Sequence, residues 1–186
     1  METVHFTQQT FRQIMDCLAR PLSEQTLQQT APIDGLYAAT AAILHTLVDG
    51  EVSVYATCDK AQQHITAWTN AKQATAEQAD FIVVRAAERE QVTSCIEQAK
   101  IGTLIDPQQS ATIIIELAES ETHRYSVSGP GIQTAVQVEL PIAKEWIAVR
   151  AQKNREYPLG VDILFVQEDG SIFALPRTTI VKGEQQ

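Results

Sequence analysis

Apolar residues recur along the chain at two spacings, one typical of helices and the other typical of strands. Helical spacing, or an apolar surface that is nearly continuous, predicts helices. Short β-branched and aromatic runs bounded by turn residues predict strands. The predicted helices cover residues 7–18, 36–48, 59–68, 89–99 and 141–153. The predicted strands cover residues 52–55, 81–84, 111–117, 124–128, 133–138, 161–166 and 171–175.

The order of these elements indicates an α/β protein. Strands alternate with helices up to about residue 110, and the three strands between residues 111 and 138 are expected to form an antiparallel meander. A further helix and a hairpin complete the chain, so we expect a mixed central sheet covered on both faces. A length of 186 residues suits one well-filled core, and we interpret residues 1–186 as a single domain.

The stretch over residues 157–179, YPLGVDILFVQEDGSIFALPRTT, is the most informative part of the sequence. Its two apolar runs flank Asp169 and Gly170, a pair that favours a two-residue hairpin turn with positive φ at both positions. Such a turn would place Asp162 directly opposite Arg177, on the same face of the hairpin. The sequence therefore predicts that the two charges of this apolar hairpin meet.

A three-residue loop is the alternative. If residues 168–170 formed the loop, with a bulge at Gly170, the register would shift by one residue and Asp162 would lie opposite Pro176. In the first register Asp162 lies opposite Arg177, and in the second it lies opposite Pro176.

Two interpretations of the charged pair remain open. A buried carboxylate and guanidinium are costly unless they bind each other, so Asp162 and Arg177 can form a structural pair that fixes the hairpin. Alternatively, Arg177 and the hydroxyls of Thr178 and Thr179 can offer hydrogen-bond donors to an anion such as a phosphate or phosphonate.

A second group of basic residues lies at the end of the last predicted helix. Arg150, Lys153 and Arg155 complement the negative end of the helix dipole, which explains them without a ligand. They are also the densest positive cluster in the sequence. We therefore keep them as a candidate patch for an anion or a partner.

Composition excludes several classes of function. A net charge of −9 and a pI near 4.9 leave no basic stripe for nucleic acid. The three cysteines have no metal-binding or dithiol spacing and suit a reducing compartment. No apolar run is long enough to span a membrane, and no signal peptide is evident, so we expect a cytoplasmic location. We also find no metal cluster, nucleophile elbow or nucleotide loop in the sequence, and so no catalytic residue is assigned.

Several of these segments together resemble one protein family. The pieces PLGVD at 158–162 and ALPRTT at 174–179, joined by an apolar strand and a short turn, are similar to the carboxy-terminal signature of the PhnH family of bacterial phosphonate metabolism. The remaining parts of the resemblance are Phe11, Arg12, Met15 and Pro21 near the start and the turn SGPGI at 128–132.

The resemblance implies a fold and a setting for the protein. It implies a three-layer α/β/α arrangement related to the large domain of pyridoxal-phosphate-dependent transferases, without the cofactor. It implies companion subunits of the G, I and L types, with which the chain would form α-D-ribose 1-methylphosphonate 5-triphosphate from ATP and methylphosphonate. It also implies a core carbon-phosphorus lyase complex with G-, I- and J-type subunits, and a homodimer when the chain is alone.

Three hypotheses follow for the function. The first is a non-autonomous subunit of a phosphonate-activating transferase, since the residues provide no self-contained active site. The second is a structural assembly module of the same complex that contacts no ligand. The third, a free-standing enzyme related to pyridoxal-phosphate proteins, has the least support, because the six lysines all lie in polar sequence surroundings.

Overall fold

The computed structural model describes residues 2–28, 33, 35–85, 87–118 and 121–183. The helices are α1 (Glu2–Ala19), α2 (Ala38–Leu47), α3 (Asp59–Thr69), α4 (Arg89–Gln98) and α5 (Lys144–Lys153), and a 3₁₀ helix covers Pro107–Gln109. The strands are β1 (Gln25–Thr26), β2 (Ser53–Ala56), β3 (Lys72–Gln73), β4 (Phe81–Arg85), β5 (Thr112–Glu116), β6 (His123–Ser128), β7 (Val136–Leu140), β8 (Asp162–Val166), β9 (Ser171–Leu175) and β10 (Ile180–Gly183).

The five helices lie close to their predicted positions. The predicted bounds of α2, α3 and α4 agree with the structure to within two residues. α1 already begins at Glu2, and α5 begins only at Lys144, so Pro141 precedes this helix instead of occupying its first turn. None of the helices in the described ranges has the length and apolar character that a membrane crossing requires.

Seven strands form a mixed central sheet in the order β1-β9-β8-β5-β4-β2-β3. β3, β2, β4, β5 and β8 run parallel. β9 is antiparallel to β8, and β1 is in turn antiparallel to β9. β6, β7 and β10 form a separate antiparallel sheet with β6 in the middle. The prediction of an α/β protein with a mixed central sheet is confirmed, while its relation to pyridoxal-phosphate-dependent transferases stays a prediction.

Both faces of the central sheet are covered. In β5, Ile113 and Ile115 contribute to one hydrophobic cluster and Ile114 to the other, because successive side chains of a strand point to opposite faces. α1, α2 and α3 supply buried residues to the cluster that contains Ile114. α4, α5 and the small sheet supply buried residues to the opposite cluster. The apolar core is therefore divided in two by the central sheet.

The predicted meander over residues 111–138 is wrong. β5 lies between β4 and β8 in the central sheet and is parallel to both, and only β6 and β7 pair as an antiparallel hairpin. The physical reason is that β5 is an apolar run, TIIIE, which is buried along most of its length on both faces. Burial on both faces is typical of a central parallel strand. β6 instead alternates between buried and more exposed residues.

The predicted two-residue hairpin turn is also wrong. Ile163 pairs with Leu175, so the register continues with Asp162 level with Pro176, as the three-residue loop requires. The N–H of Gly170 donates to the carbonyl of Gln167 at 3.1 Å, and Gly170 has a φ of 93°. Since the described positive-φ residues do not include Asp169, the turn with two positive φ values does not form.

Candidate functional site

An ion pair between Asp162 and Arg177 lies at the open end of the β8–β9 hairpin. Nη2 of Arg177 is 2.5 Å from Oδ2 of Asp162, and both side chains are mostly buried. The backbone N–H of Arg177 also donates to Oδ1 of Asp162 at 2.7 Å. The contact forms although the two residues are not directly opposed, because the arginine side chain is long enough to reach back across the strand end.

The Arg177 guanidinium also links the hairpin to a distant segment. Nη1 donates to the carbonyl of Pro107 at 2.8 Å, and Nη2 donates to Oγ of Ser110 at 2.5 Å. Nε lies 3.2 Å from Oδ2 of Asp162. Each of the three guanidinium nitrogens therefore donates to an atom of the protein itself.

Thr178 and Thr179 form the short connection from β9 to β10. The N–H of Thr179 donates to the carbonyl of Pro176 at 2.9 Å, and Thr179 is buried while Thr178 is half-buried. A Cβ built on Gly129 would come within 2.8 Å of the Thr178 carbonyl, so only glycine suits this close approach. In the described part of the chain, no hydrogen bond joins either threonine hydroxyl to Arg177.

Arg150 lies apart from the predicted basic patch, since only 2% of it is exposed. Nη1 donates to the carbonyl of Thr179 at 3.1 Å, and Nη2 donates to the carbonyl of Pro176 at 2.5 Å, with that of Leu175 at 3.4 Å. Burial lowers the pKa of Arg150 to about 10, opposed by the charge of Asp162. Arg150 thus binds the backbone of the β9–β10 connection from inside the protein.

The other two residues of the predicted patch differ from each other. Nζ of Lys153 donates to the carbonyl of Glu97, and partial burial lowers the pKa of this lysine. Arg155 is exposed. Of the three basic residues, only Arg155 is therefore fully available to a ligand or partner in this conformation.

The structure also contains a polar cluster that sequence reasoning missed, at the carboxyl end of β5. Glu116 is only 2% exposed, and its Oε1 accepts the backbone N–H of Tyr37 at 2.6 Å, just before α2. Its Oε2 has no hydrogen-bond partner within the described residues, and the nearest cation is Nε of Arg85 at 3.9 Å. The signal in the sequence is one acidic residue that ends the apolar run of β5.

Burial raises the pKa of Glu116 above the ordinary carboxyl value. The nearby Thr40 hydroxyl, the Tyr37 N–H and the Arg85 guanidinium act in the opposite direction, and burial outweighs them. The carboxylate also faces the positive end of the α2 dipole, which favours a negative charge there. Glu116 can therefore act as a hydrogen-bond acceptor or, when protonated, as a donor.

A cavity of about 680 Å³ lies beside this cluster, at the carboxyl ends of β5 and β8. Ligands of open α/β sheets bind at this end of the parallel strands, which makes the cavity the candidate ligand pocket. Its rim carries acidic side chains and therefore suits hydrogen-bond donors and cations better than anions. The lining residues are Leu117, Ala118, Thr122, Pro141, Gln167, Glu168 and Asp169.

The thiols of Cys17 and Cys95 are buried in the core. Burial raises the pKa of both Cys17 and Cys95 to about 11, so these thiols stay protonated and weakly nucleophilic at neutral pH. Among the residues that the structure describes, no group of histidine, cysteine and acidic side chains is arranged to hold a metal ion.

Fold and site together define an α/β protein with a mixed sheet, in which most of the candidate basic side chains bind other parts of the same chain. The chain belongs to the PhnH family, since the sequence model described as "Bacterial phosphonate metabolism protein (PhnH)" matches residues 1–182. The family resemblance carried by the PLGVD and ALPRTT segments is therefore confirmed.

Two curated proteins are similar to the chain over most of its length. One is the "Putative C-P lyase subunit protein HtxG" of Stutzerimonas stutzeri, 27% identical over 175 residues, with 92% of this chain and 84% of that protein aligned. The other is the "Alpha-D-ribose 1-methylphosphonate 5-triphosphate synthase subunit PhnH" of Rhizobium meliloti (strain 1021), 26% identical over 192 residues. That alignment covers 98% of this chain and 94% of the relative.

Proposed function

We propose that the chain is a subunit of a carbon-phosphorus lyase complex in organic phosphonate catabolism. With companion subunits of the G, I and L types, it takes part in forming α-D-ribose 1-methylphosphonate 5-triphosphate from ATP and methylphosphonate. The observation that carries the proposal is the family match over residues 1–182. The names of both relatives, each called a subunit, support the same role.

The site geometry supports a subunit that depends on its partners for chemistry. The guanidiniums of Arg177 and Arg150 and the ammonium of Lys153 all donate to atoms of this chain. A polyanionic substrate such as ATP would therefore find few available cations here and would need cations from other subunits. The same argument extends to a core complex with G-, I- and J-type subunits.

Gene deletion and complementation test the proposed role. Cells that lack this chain but retain the companion subunits should fail to grow on methylphosphonate as the phosphorus source, and the wild-type gene should restore growth. Extracts of these cells should also fail to release adenine from ATP in the presence of methylphosphonate. Growth without the chain would reject the proposal.

A structural module without ligand contact is the second candidate. It is favoured by the Arg177 geometry, in which all three guanidinium nitrogens bind the protein, whereas the anion-binding role of Arg177, Thr178 and Thr179 stays a prediction. Binding of ATP and of methylphosphonate to the assembled complex separates the two. Thr178→Val removes a half-buried hydroxyl and spares the ion pair, so weaker binding by Thr178→Val would favour the anion site. Unchanged affinity in both Thr178→Val and Arg177→Ala would favour the module.

We further propose that the fold is related to the large domain of pyridoxal-phosphate-dependent transferases without use of the cofactor. None of the six lysines is buried, whereas a Schiff-base lysine works from a desolvated position. Purified chain incubated with pyridoxal phosphate and passed through a desalting column should show no aldimine absorbance. A retained yellow species would instead revive the third hypothesis of the sequence analysis.

A further inference from the structure

We propose that the outer edge of β7 and the groove beside it bind an extended segment of a companion subunit as an additional β-strand. The inference rests on the proposed function, because it assigns one surface through which a subunit of such a complex would meet its partner. It concerns β7 of the small sheet and uses neither Asp162 nor Arg177.

The backbone of β7 provides the first argument. β7 is an edge strand, paired with β6 on one side over five residue pairs from Val136 to Leu140. Among the described residues, its backbone makes hydrogen bonds only with β6, so alternate N–H and C=O groups point outward along the other edge. An unpaired edge of this kind is a template for a strand from another chain.

A groove runs along the same edge. Two cavities of about 530 Å³ and 190 Å³ share Leu22 in their lining and lie between β7 and the segment that follows α1. Apolar side chains line much of both cavities. They are Pro21, Leu22, Ile132, Val136 and Val138 in the larger cavity and Leu22, Leu140, Pro141 and Phe173 in the smaller one.

The wall of this groove opposite β7 is fixed by a close backbone contact. A Cβ on Gly131 would lie 2.5 Å from the carbonyl of Ala19 and 2.9 Å from Cδ of Pro21, so the β6–β7 turn packs directly on the end of α1. Leu22, whose N–H donates to the carbonyl of Ala174, is held on the central sheet. Both walls of the groove therefore belong to the folded protein and are present before a partner arrives.

The sequence of β7 determines which segment would fit. Val136, Val138 and Leu140 alternate with Gln137 and Glu139, so apolar side chains face the groove and polar ones face away. A strand added to this edge continues the pattern, with apolar residues at every second position toward the groove. Because Pro141 follows the strand and has no N–H, the added segment pairs over about five residues.

Charge adds a further requirement. Glu24 lines the smaller cavity and is exposed, and among the described residues its carboxylate accepts a neutral amide, from Gln167, at 2.8 Å. The carboxylate of Glu139 is instead balanced by Arg124, whose Nε lies 2.8 Å from its Oε1. The whole chain carries a net charge of −9. A partner segment with lysine or arginine next to its apolar residues is thus favoured over an acidic one.

β7 also lacks the usual protection of an exposed edge. Natural edge strands carry lysine, proline or a bulge that discourages pairing. Val136–Leu140 contains no lysine or proline, its one charged residue, Glu139, is paired with Arg124 of β6, and its pairing with β6 is continuous. The opposite edge of the same sheet, β10, contains Lys182 and a glycine. These residues discourage pairing with another strand at β10, which leaves β7 as the edge suited to binding a partner.

Pull-down of the companion subunits by tagged chain tests the inference. Val136→Lys places a charge at the groove from a residue that is 38% exposed, and we expect it to weaken binding about tenfold or more. Ile180→Lys is the matched control on β10, where the replaced residue is 55% exposed, and should bind as the wild type does.

Glu24→Gln, which keeps a partner for Gln167, should weaken binding about two- to fivefold, mainly at low salt. Thermal unfolding of each variant checks that it folds.

Amide hydrogen exchange on the wild-type complex provides an independent readout. The outward-pointing amides among residues 136–140 should become protected on binding, while those of β10 should not change. Unchanged binding by Val136→Lys, or equal loss in Ile180→Lys, would overturn the inference and leave the proposed function intact. A change in the sedimentation of the isolated chain on Val136→Lys would assign the edge to a second copy and overturn it as well. A wild-type chain that captures no companion subunit would reject the proposed function itself.

Discussion

Arg150 holds an irregular stretch of backbone from inside the protein. Its guanidinium binds carbonyls on both sides of the turn between β9 and β10, and burial makes these bonds strong because water does not compete for them. The same burial makes the charge costly, as its lowered pKa indicates. The residue is therefore stabilising only as long as its carbonyl partners stay in place.

Replacing Arg150 by alanine should strongly destabilise the protein. The carbonyl of Thr179 would lose the Arg150 donor in a buried site, and that of Pro176 would keep only the Thr179 N–H, which together costs about 2–4 kcal/mol of unfolding free energy. Urea unfolding followed by circular dichroism measures the change. Arg155→Ala is the matched control, since Arg155 is exposed, and should leave the midpoint unchanged. Equal stability of the two variants would contradict the role given to Arg150.

Glu116→Gln should make the stability of the protein less dependent on pH. Burial raises the pKa of Glu116 in the folded state, so the folded protein holds this proton more tightly than the unfolded chain. Wild-type stability therefore falls as pH rises through the window between the ordinary carboxyl pKa and the raised one. Glutamine keeps the acceptor for the Tyr37 N–H and carries no charge.

The variant should accordingly be more stable than the wild type at neutral pH, and the advantage should shrink as pH falls from the raised pKa to the ordinary carboxyl pKa, with no further change below it. Chemical unfolding at a series of pH values measures this difference. Glu156→Gln, at an exposed position, is the control and should track the wild type throughout. A Glu116→Gln variant that is less stable at neutral pH would show that the ionised carboxylate is the favoured form.

The sequence predicts some site residues better than others, for a physical reason. Two charges inside an apolar hairpin are each costly alone, so a contact between Asp162 and Arg177 is predicted even on an incorrect register. Glu116 gives a weaker signal, since a charge at the end of a strand normally marks the boundary with solvent. Its burial depends on α2, which comes from a part of the chain about 80 residues earlier, with Tyr37 and Glu116 separated by 79 positions.

At the scale of single elements, the β8–β9 hairpin shows the limit of a turn signal. Asp169 and Gly170 suit a two-residue loop, but Gly170 also suits the last position of a three-residue loop, where one residue of positive φ is enough. The structure has the second arrangement, with the Asp169 carboxylate accepting the N–H of Ser171 at 2.9 Å. Sequence alone does not separate the two, because both use the same glycine.

Gly170→Ala should destabilise the hairpin. Alanine at a φ of 93° is strained, and we expect a loss of about 1–2 kcal/mol in unfolding free energy. Gly183→Ala serves as the control, because a Cβ there meets no atom of the described residues within 4 Å and its φ is not positive. Thermal and urea unfolding of both variants measure the difference. A neutral Gly170→Ala would mean that the loop relaxes into another turn.

The placement of β5 required information from the whole sheet. An apolar run such as ATIIIEL predicts a strand but does not identify its neighbours, and the order of elements suggested the next strand in the chain. The structure inserts β5 between β4 and β8 because both of its faces are apolar and need cover. Element type was thus predictable here, whereas pairing partners were not.

At the scale of the whole molecule, Asp162 and Arg177 connect three distant segments. The pair joins the start of β8 to the end of β9, and the bond to Ser110 adds the segment that leads into β5. The contacts thus span 67 residues of sequence between Ser110 and Arg177. Removal of either charge should affect the hairpin and the neighbouring strand together.

A double-mutant cycle of Asp162→Ala and Arg177→Ala should show strong coupling. Because the pair is mostly buried and shares several hydrogen bonds, we expect a coupling of about 1–3 kcal/mol. The exposed pair of Asp16 and Arg20 on α1 is the control and should give about 0.3–0.5 kcal/mol. Urea unfolding of the four proteins in each cycle gives both values. Coupling no larger than that of the control pair would remove the structural role of Asp162 and Arg177.

The pairing of β1 with β9 has a consequence for biosynthesis. Gln25 and Thr26 pair with Ile172 and Ser171, so β1 pairs with a strand that lies about 145 residues later in the chain. α1 is synthesised before β9, and the side of the helix that packs on β9 has no such neighbour until about 150 residues later in the chain. This part of the sheet can therefore assemble only after β9 has been made, later than the contact between α1 and α2.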